Sequence, residues 1–489
     1  MDHHPRSHDF AVTLTVACIA TAMLILDISV INTALSKIAA GLSTGLGGLQ
    51  WIFDGYTVPL AAFVLTAGSL ADRIGRKRMF ATGLVLFTTA SAACGLAGSI
   101  NVLDAARAVQ GVGAAMLFAV SLALIAHVTP RPSDRAKAMA LYGSTIGGAL
   151  AIGPLVGGGL TEAFSWRAIF LINIPLGAIA LWLTLTGVSE SRDPVTRPVD
   201  WPGQVTLIGG LFGVVLGLLR GNESGWSSPL VLTSLIAGTV LLVAFVLIEL
   251  NRPQAMLPLQ LFRLPNFAGA QVSVFAISSS VFAIYLYLSL YLQETLGRSP
   301  IETGLAYLPG SILMFLVSGM TPKLGAKIGN GALAATGLGL ATAGTLLLLL
   351  AGAGSSWTIT LPATVLALGG VGLYNPAISV IAVSALPESR SGLASGAYDT
   401  FRQSGLALGT AALGAFVPTR VLSGASAAGY VAGFHHAVLV AGAVAAAGTV
   451  LTVALLMRGR TALVSSRGAD RGGSDVLAVD AAMAFAHDD

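Results

Sequence analysis

The chain has 489 residues, of which 55% are hydrophobic and only 10% are charged, and its mean hydropathy is +0.82. Soluble domains carry about 25% charged residues, so this composition excludes an ordinary soluble fold and places most side chains against lipid or other apolar helices. The formal net charge is +4, but the basic residues are spread over short segments between apolar runs, which argues against nucleic acid as a partner.

Apolar runs of transmembrane length dominate the chain, because a helix needs about twenty apolar residues to cross about 30 Å of hydrocarbon. Six runs precede a polar stretch at 189–200, and they lie at 11–35, 48–70, 79–98, 101–127, 136–160 and 167–188. Two more lie at 203–220 and 228–250. The last six lie at 266–292, 303–322, 331–352, 358–386, 391–416 and 433–457. We therefore predict an all-α membrane protein with 14 transmembrane helices.

Two polar stretches divide these runs into groups. We expect an N-terminal six-helix bundle over residues 1–188, an inserted helix pair with its linkers over 189–265, and a C-terminal six-helix bundle over 266–457. The remaining segment, 458–489, is polar. Because such a segment has little apolar surface to bury, we predict that it is a disordered cytoplasmic tail.

Basic residues indicate the orientation, because short cytoplasmic loops are enriched in Lys and Arg. With a cytoplasmic N-terminus, the outer loops hold only Lys37, Arg167, Arg220, Arg298 and Arg420, while Arg107 and Arg402 lie within helices. The other 19 of the 26 Lys and Arg residues fall on the inner side. The bias persists along the whole chain, so it supports an even number of spans, cytoplasmic termini and a place in the inner (plasma) membrane.

The two six-helix groups show weak sequence similarity to each other. The tripeptide Gly-Val-Gly at 111–113, in the fourth predicted helix, recurs at 370–372 in the twelfth. The loop that begins at Gly68 has a degraded counterpart that begins at Gly319. Paired halves of this kind are typical of transporters whose site lies between the halves near the membrane midplane.

Ionisable side chains inside membrane spans cost at least about 2.5–3.5 kcal/mol each, so they are candidates for function. The sequence offers five, namely Asp27, Asp54, Arg107, Asp399 and Arg402. The helical rise puts the first three about 6–12 Å below the outer surface, which permits a shared polar cluster. Burial favours the protonated form of a carboxylate and a nearby arginine opposes it, so a carboxylate balanced between them can exchange protons.

Structural roles for these residues stay open at this point. Asp27 and Arg107 can simply serve helix packing, and Asp54 can be hydrated near the membrane surface. Asp399 and Arg402 have the spacing of a local ion pair on one helix face. The histidines lie near predicted helix ends without ligand-type spacing, so we predict no metal site and no cofactor other than the proton gradient as an energy source.

One loop carries a specific resemblance. The segment G-S-L-A-D-R-I-G-R-K-R-M-F, residues 68–80, resembles the signature loop between helices two and three of the major facilitator superfamily. The matching positions include Gly68, Asp72, Arg73, Gly75, Arg76 and Lys77. These residues are expected to form a cytoplasmic gate, in which Asp72 can face the positive N-terminus of a neighbouring helix.

Further motifs point to the drug exporters of that superfamily. The segment G-P-L-V-G-G, with Gly153, Pro154, Gly157 and Gly158, is similar to the fifth-helix antiporter motif, and residues 103–115 look like the fourth-helix signature. Residues 26–35 and 166–177 resemble the fourteen-helix drug:proton antiporters. Residues 401–411 are similar to the second-half pattern, although Asp399 stands where the resemblance leads us to expect an uncharged Asn.

The resemblance implies the major facilitator fold, with two six-helix bundles plus two inserted helices, and a monomeric proton-coupled antiporter that exports lipophilic or cationic drugs. The expected partners are therefore small lipophilic or cationic molecules, protons and membrane lipids. An uptake symporter of the same fold and a dedicated exporter of one antibiotic or metabolite are the alternatives. We expect no enzyme, since the sequence has no nucleotide-binding loop, HExxH helix or catalytic triad pattern.

Overall fold

The computed structural model describes residues 7–129, 132–192, 200–252, 255–386, 390–418 and 427–469, and the structural statements below concern these ranges. Within them the elements are helices joined by short connections. Some basic residues used to predict the orientation lie outside the described ranges, namely Arg6, Arg131, Arg197, Arg420 and Arg471. Residues 470–489 of the predicted disordered tail lie outside them as well.

The predicted transmembrane runs are helices in the structure. The first six are α1 Ser7–Leu42, α2 Leu46–Ile74, α3 Arg76–Gly95, α4 Ile100–Val128, α5 Pro132–Ala163 and α6, which is interrupted between Ala168–Leu171 and Asn173–Gly187. The inserted pair is α7 Trp201–Ser224 and α8 Pro229–Asn251. The last six are α9 Pro265–Thr295, α10 Pro300–Ile328, α11 Asn330–Leu347, α12 Thr360–Ser384, α13 Ser391–Gly414 and α14 Ala427–Ala469.

These helices confirm the predicted fold class and span count. Among the described residues, 12 helices are long and apolar enough to cross a membrane by composition alone. The other two, α3 and α13, are long enough but more polar, because α3 opens with three basic residues and α13 contains Asp399 and Arg402. One detail differs from the prediction: α14 continues to Ala469, so the first part of the predicted tail is helical.

Glycines at the helix contacts explain why the Gly-Val-Gly tripeptide occurs in both halves. A Cβ at Gly113 in α4 would lie 2.7 Å from the Phe87 nitrogen of α3. The corresponding helix of the second half behaves alike, because a Cβ at Gly370 in α12 would lie 2.5 Å from the Gly337 oxygen of α11. Each fourth helix is thus packed backbone to backbone against the third helix of its own half, which only small residues allow.

The two halves meet along two seams, one formed by α2 with α13 and the other by α5 with α10. Hydrogen bonds join the halves at the end of the bundle opposite the Gly68–Lys77 loop, since Gln293 of α9 donates to the Thr33 carbonyl of α1 at 3.3 Å. The Glu162 carboxylate of α5 accepts from the Ser299 hydroxyl before α10 at 3.0 Å. The structure therefore shows a conformation with the halves joined at this end, which is the outer end in the predicted orientation.

The inserted helix α7 lies in the α2–α13 seam and contacts both halves. Its apolar face packs with Val58 and Ala61 of α2 and with Ala407 and Ala411 of α13. The second inserted helix, α8, packs mainly against α7 and leaves large apolar side chains exposed along its length, as a lipid-facing helix does.

Candidate functional site

A buried charged pair lies at the centre of the first half. Asp27 of α1 and Arg107 of α4 are each 1% exposed, and an Arg107 Nη1 hydrogen bonds to Asp27 Oδ2. The Arg107 Nε also donates to the Ile52 carbonyl of α2 at 2.9 Å. Removing one partner of such a pair leaves an uncompensated buried charge, which is strongly destabilising. The sequence prediction that Asp27 and Arg107 belong to one polar cluster agrees with this geometry.

Close packing of α4 against α2 holds the guanidinium in place. Gly111 lies against the Tyr56 backbone with no room for a side chain, which brings the Arg107 Cζ to 4.2 Å from the Tyr56 ring centroid. On its other side Arg107 lies 5.9 Å from the centroid of Phe170. Both ring faces attract a cation, so Arg107 sits between two aromatic rings and three hydrogen-bond acceptors.

Three uncharged residues complete the cluster, and reasoning from ionisable residues alone missed them. Gln110 of α4 donates to Asp27 Oδ1 at 2.8 Å, and Asn173 of α6 donates to the same oxygen at 3.2 Å. Ser91 of α3 accepts from both amides. All three are buried. Their signal in the sequence was a polar amide or hydroxyl within an apolar run, and Asn173 belongs to one of the segments that carry the family resemblance.

Asp54 is buried but lies outside this cluster. Its side chain is 0% exposed, so the alternative of a hydrated position near the headgroups is wrong. Neither carboxylate oxygen has a hydrogen-bond partner among the described residues, and the neighbouring Thr57 hydroxyl donates to the Phe53 carbonyl. Gln50, one helical turn before Asp54 on α2, donates to the Tyr287 hydroxyl of α9 at 2.7 Å, so the face of α2 that carries both residues packs against the second half.

Asp399 and Arg402 form the predicted local ion pair on α13, with 3.4 Å between Asp399 Oδ1 and Arg402 Nη2. Their side chains are 14% and 21% exposed. The pair faces the first half, because the Arg402 Cζ lies 5.2 Å from the Phe118 ring centroid of α4.

The loop from Gly68 to Lys77 is held by the segment that follows α6. Gly75 adopts φ 113°, a conformation that favours glycine, and so permits the abrupt turn from α2 into α3. The Lys77 amide donates to Glu190 at 3.0 Å, and the Arg76 amide donates to the Ser191 carbonyl at 2.9 Å. Asp72 accepts two hydrogen bonds from the Arg76 side chain. The structure thus pairs Asp72 within its own loop, rather than with a helix N-terminus as expected.

The remaining residues of this loop make fewer contacts with the rest of the protein. Arg73 is exposed, and the Lys77 ammonium donates to the Leu185 carbonyl at 2.9 Å. A Cβ at Gly68 would come no closer than 3.9 Å to its nearest neighbour, Ala119. Close packing therefore does not require a glycine at position 68.

The motif from Gly153 to Gly158 places α5 between two other helices. Gly153 and Gly157 lie against Ser29 and Val30 of α1, two to three residues beyond Asp27. Gly158 faces the other half, where a Cβ would lie 2.5 Å from the Pro300 carbonyl oxygen of α10. In return, Gly304 of α10 lies against the Pro154 carbonyl with no room for a side chain. This motif therefore forms the tight contact of the α5–α10 seam.

No cluster of three or more His, Cys, Asp or Glu that could hold a metal ion occurs in the part of the chain that the structure describes. The site instead contains two buried carboxylates, Asp27 with three hydrogen-bond donors and Asp54 with none among the described residues. Such groups are suited to taking up and releasing protons, as intramembrane carboxylates do in proton relays.

Comparisons with known proteins agree with this architecture. Residues 17–410 match the family model of the Major Facilitator Superfamily. The chain is 34% identical over 402 residues to the multidrug resistance protein Stp of Mycobacterium tuberculosis, covering 82% of this chain and 75% of that protein. It is 32% identical over 403 residues to the methylenomycin A resistance protein of Streptomyces coelicolor, covering 82% and 85%.

Solved structures show the same fold at low sequence identity. The human organic anion transporter MFSD10 (TETRAN) superposes with a TM-score of 0.62 at 15% identity, covering 91% of this chain and 99% of that one. The nucleoside transporter NupG superposes with a TM-score of 0.59 at 12% identity. The chain is therefore a multi-pass membrane protein that belongs to the Major Facilitator Superfamily.

Proposed function

We propose that this protein exports lipophilic or cationic drugs from the cytoplasm in exchange for protons, by alternating access between its two halves. The observation that carries the proposal is the Asp27–Arg107 pair, buried inside the first half among fixed donors. Membership of a transporter family and similarity to drug and antibiotic resistance proteins support the choice of substrate class.

Asp27 is the proposed proton carrier. Two charges taken out of water are stabilised only by close contact and additional hydrogen bonds, which Asp27 receives from Arg107, Gln110 and Asn173. A change of conformation that withdraws Arg107 would leave the carboxylate uncompensated and favour protonation. Uptake and release of one proton at Asp27 would thereby follow the movement of α1 against α4.

Asp54 is the proposed second carboxylate. It is fully buried without a hydrogen-bond partner in the described ranges, and an ionised carboxylate in that state is costly. We infer that Asp54 is neutral in this outer-closed conformation and ionises when the outer ends of the two halves separate and admit water. Asp399 and Arg402, which are partly exposed and face the first half, are proposed to contact the substrate.

The proposed membrane is the cell inner (plasma) membrane, with both termini in the cytoplasm and the protein acting as a monomer. In this orientation the loop from Gly68 to Lys77 lies on the cytoplasmic side, where its contacts with Glu190 and Ser191 hold the inner ends of α2 and α3 to the end of α6. It is proposed to act as the cytoplasmic gate.

The proposal is tested by transport of tetraphenylphosphonium into inside-out proteoliposomes with an imposed proton gradient. Asp27→Asn keeps the shape of the side chain and an oxygen that can accept from Arg107, but removes its charge and its proton, so we expect proton-driven accumulation to be lost. Because this change leaves the Arg107 charge without its counter-ion, membrane insertion and gel filtration of the purified variant are measured alongside transport. Glu223→Gln is the matched control, because Glu223 is exposed and pairs with Arg220 on α7. Wild-type accumulation by the Asp27→Asn protein would refute the assignment.

The direction of transport separates export from uptake. Movement of substrate in the same direction as protons would favour a symporter of the same fold. Growth of cells with and without the protein, across a panel of antibiotics and cationic dyes, separates broad from single-drug specificity: protection against one compound alone would indicate a dedicated exporter.

A further inference from the structure

Both oxygens of the Asp27 carboxylate are occupied, but by different kinds of donor. Arg107 hydrogen bonds to Oδ2. Oδ1 receives two neutral amide donors, Gln110 Nε2 at 2.8 Å and Asn173 Nδ2 at 3.2 Å. Asn173 is 1% exposed and Gln110 is 0% exposed, so no water competes for these bonds in this conformation.

The surrounding bonds fix which way each amide points. The Ser91 hydroxyl donates its one hydrogen to the Phe170 carbonyl at 2.9 Å, so its oxygen can only accept from the amides of Gln110 at 3.2 Å and Asn173 at 3.0 Å. Gln110 Oε1 is itself engaged, because it accepts from Arg107 at 2.8 Å. Each amide nitrogen therefore has one hydrogen for Ser91 and one for Asp27, and neither amide can turn its oxygen toward the carboxylate without losing several bonds.

The backbone places Asn173 where α6 is interrupted. Asn173 begins the second part of α6, and Phe170 lies in the short first part. The amide of Asn173 and the carbonyl of Phe170 thus reach Asp27 and Ser91 from the same irregular turn. This turn connects α6 to both α1 and α3 through the proton site.

We propose that Asn173, together with Gln110, is a positioning residue that sets the proton affinity of Asp27 and hence the pH at which this carrier exchanges protons. The inference rests on the proposed function of Asp27. A donor hydrogen bond stabilises an ionised carboxylate more than a neutral one, and each of the two amides presents one such donor to Asp27 Oδ1. Loss of either amide makes Asp27 bind its proton more tightly.

Other groups around Asp27 also influence its proton affinity, and substitution of Asn173 or Gln110 leaves their side chains in place. They are Arg107 of α4, with which Asp104 interacts, Cys94 of α3, and Tyr56 of α2, which interacts with both Asp27 and Arg107. Arg402 of α13 acts on the same tyrosine. Asn173 carries no charge and its amide donates to Asp27 and Ser91, so its removal tests the hydrogen bond to Asp27 most directly. Removal of Gln110 also takes one acceptor from Arg107.

The test is a pH titration of the purified protein by infrared difference spectroscopy, which detects the protonated carboxyl group and needs no substrate. The band that Asp27→Asn removes is assigned to Asp27. Charged hydrogen bonds of this kind shift a titration by about one pH unit or more, so we expect the midpoint of that band to move upward by that amount in Asn173→Ala and in Gln110→Ala. Two variants are used so that the test survives if one fails to fold.

Asn251→Ala is the control. It removes an amide that donates only within α8, to the Leu247 carbonyl at 2.7 Å, and not to Asp27, so its midpoint should equal that of the wild type. A wild-type midpoint in both Asn173→Ala and Gln110→Ala would overturn the positioning role and leave the proposed transport function standing. No titration of Asp27 in the wild type or in either variant would refute both.

Discussion

Three consecutive glycines of the α5 motif should respond in three different ways to the same substitution. A Cβ at Gly158 would lie 2.5 Å from the Pro300 carbonyl oxygen and 2.8 Å from the Ile301 Cα, both in the other half of the molecule. A Cβ at Gly157 would lie 2.5 Å from the Val30 carbonyl oxygen of α1, in the same half. At Gly159 nothing lies within 4 Å.

The magnitude follows from these contacts, because the neighbours are backbone atoms that cannot rotate away. Overpacking of this kind costs about 1–3 kcal/mol. In Gly158→Ala the clash exists only while α5 and α10 touch at the outer end, so it disfavours the outer-closed conformation. About 1.4 kcal/mol corresponds to a tenfold change in an equilibrium, so the outward-open population should rise about five- to hundredfold. In Gly157→Ala the same clash lies within one half and lowers the stability of the fold instead.

The assay is the alkylation rate of a cysteine placed where the outer ends of the two halves touch. Ser36 suits this purpose, because its hydroxyl is buried and its backbone amide donates to Gln293 across the seam. We would introduce Ser36→Cys into a protein whose Cys18 and Cys94 are replaced by alanine. Alkylation should accelerate at least several-fold in Gly158→Ala and stay unchanged in Gly159→Ala. Gly157→Ala should lower the unfolding temperature in detergent without accelerating alkylation.

Equal alkylation rates in the Gly158→Ala and Gly159→Ala proteins would refute the reasoning, because they would show that the Gly158 contact does not hold the outer seam closed. An equal acceleration in Gly157→Ala would also contradict it. That result would mean that any disturbance of α5, and not specifically its contact with α10, opens the seam.

Two further substitutions test other parts of the structure. Gln204→Leu removes a buried amide of α7 that donates to the Ala62 carbonyl of α2 at 2.9 Å. We expect the free energy of unfolding to fall by about 1–2 kcal/mol, which is measured as a lower unfolding temperature in detergent. The control is Thr206→Val, which loses bonds only within α7 and should have little effect. Asp399→Asn restores the uncharged residue that the family resemblance leads us to expect. Because the Asp399 ion pair is partly exposed, we expect tetraphenylphosphonium to bind about two- to fivefold more weakly. Proton exchange should be retained. An unchanged affinity would contradict contact between Asp399 and the substrate.

The fold could be predicted from the sequence because each span carries its own signal. Twenty apolar residues make a membrane helix wherever they occur, and even the more polar helices α3 and α13 contain apolar runs of that length, at 79–98 and 391–416. The charge bias of the loops agrees with the resulting even count. The irregular turn at Ile172 and the π-helical turns at 278–282 and 291–295 had no such signal. They depend on the side chains that pack against the helix, which a hydropathy profile does not contain.

The site could be predicted only in part, for a related reason. Asp27 and Arg107 are costly in a membrane and therefore conspicuous, whereas Gln110, Asn173 and Ser91 are common enough in helices to be overlooked. Depth along the helix placed Asp54 with Asp27, but depth does not determine which face of the helix a residue occupies. The structure places Asp54 on the face of α2 that contacts the second half through Gln50, a distinction that needs the rotation of α2 and not only its bounds.

The inserted pair had no explanation from the sequence, and its position now limits how the halves can move. Gln204, near the start of α7, hydrogen bonds to α2 of the first half, and Asn222, near the end of α7, hydrogen bonds to the end of α13 of the second half. The two bonds lie about 27 Å apart along the helix, from 18 residues at 1.5 Å each, and between them α7 packs against both α2 and α13. Under the proposed alternating access, separation of α2 from α13 would strain these two bonds. The α5–α10 seam has no inserted helix packed across it among the described contacts, so separation of the halves there would strain neither bond.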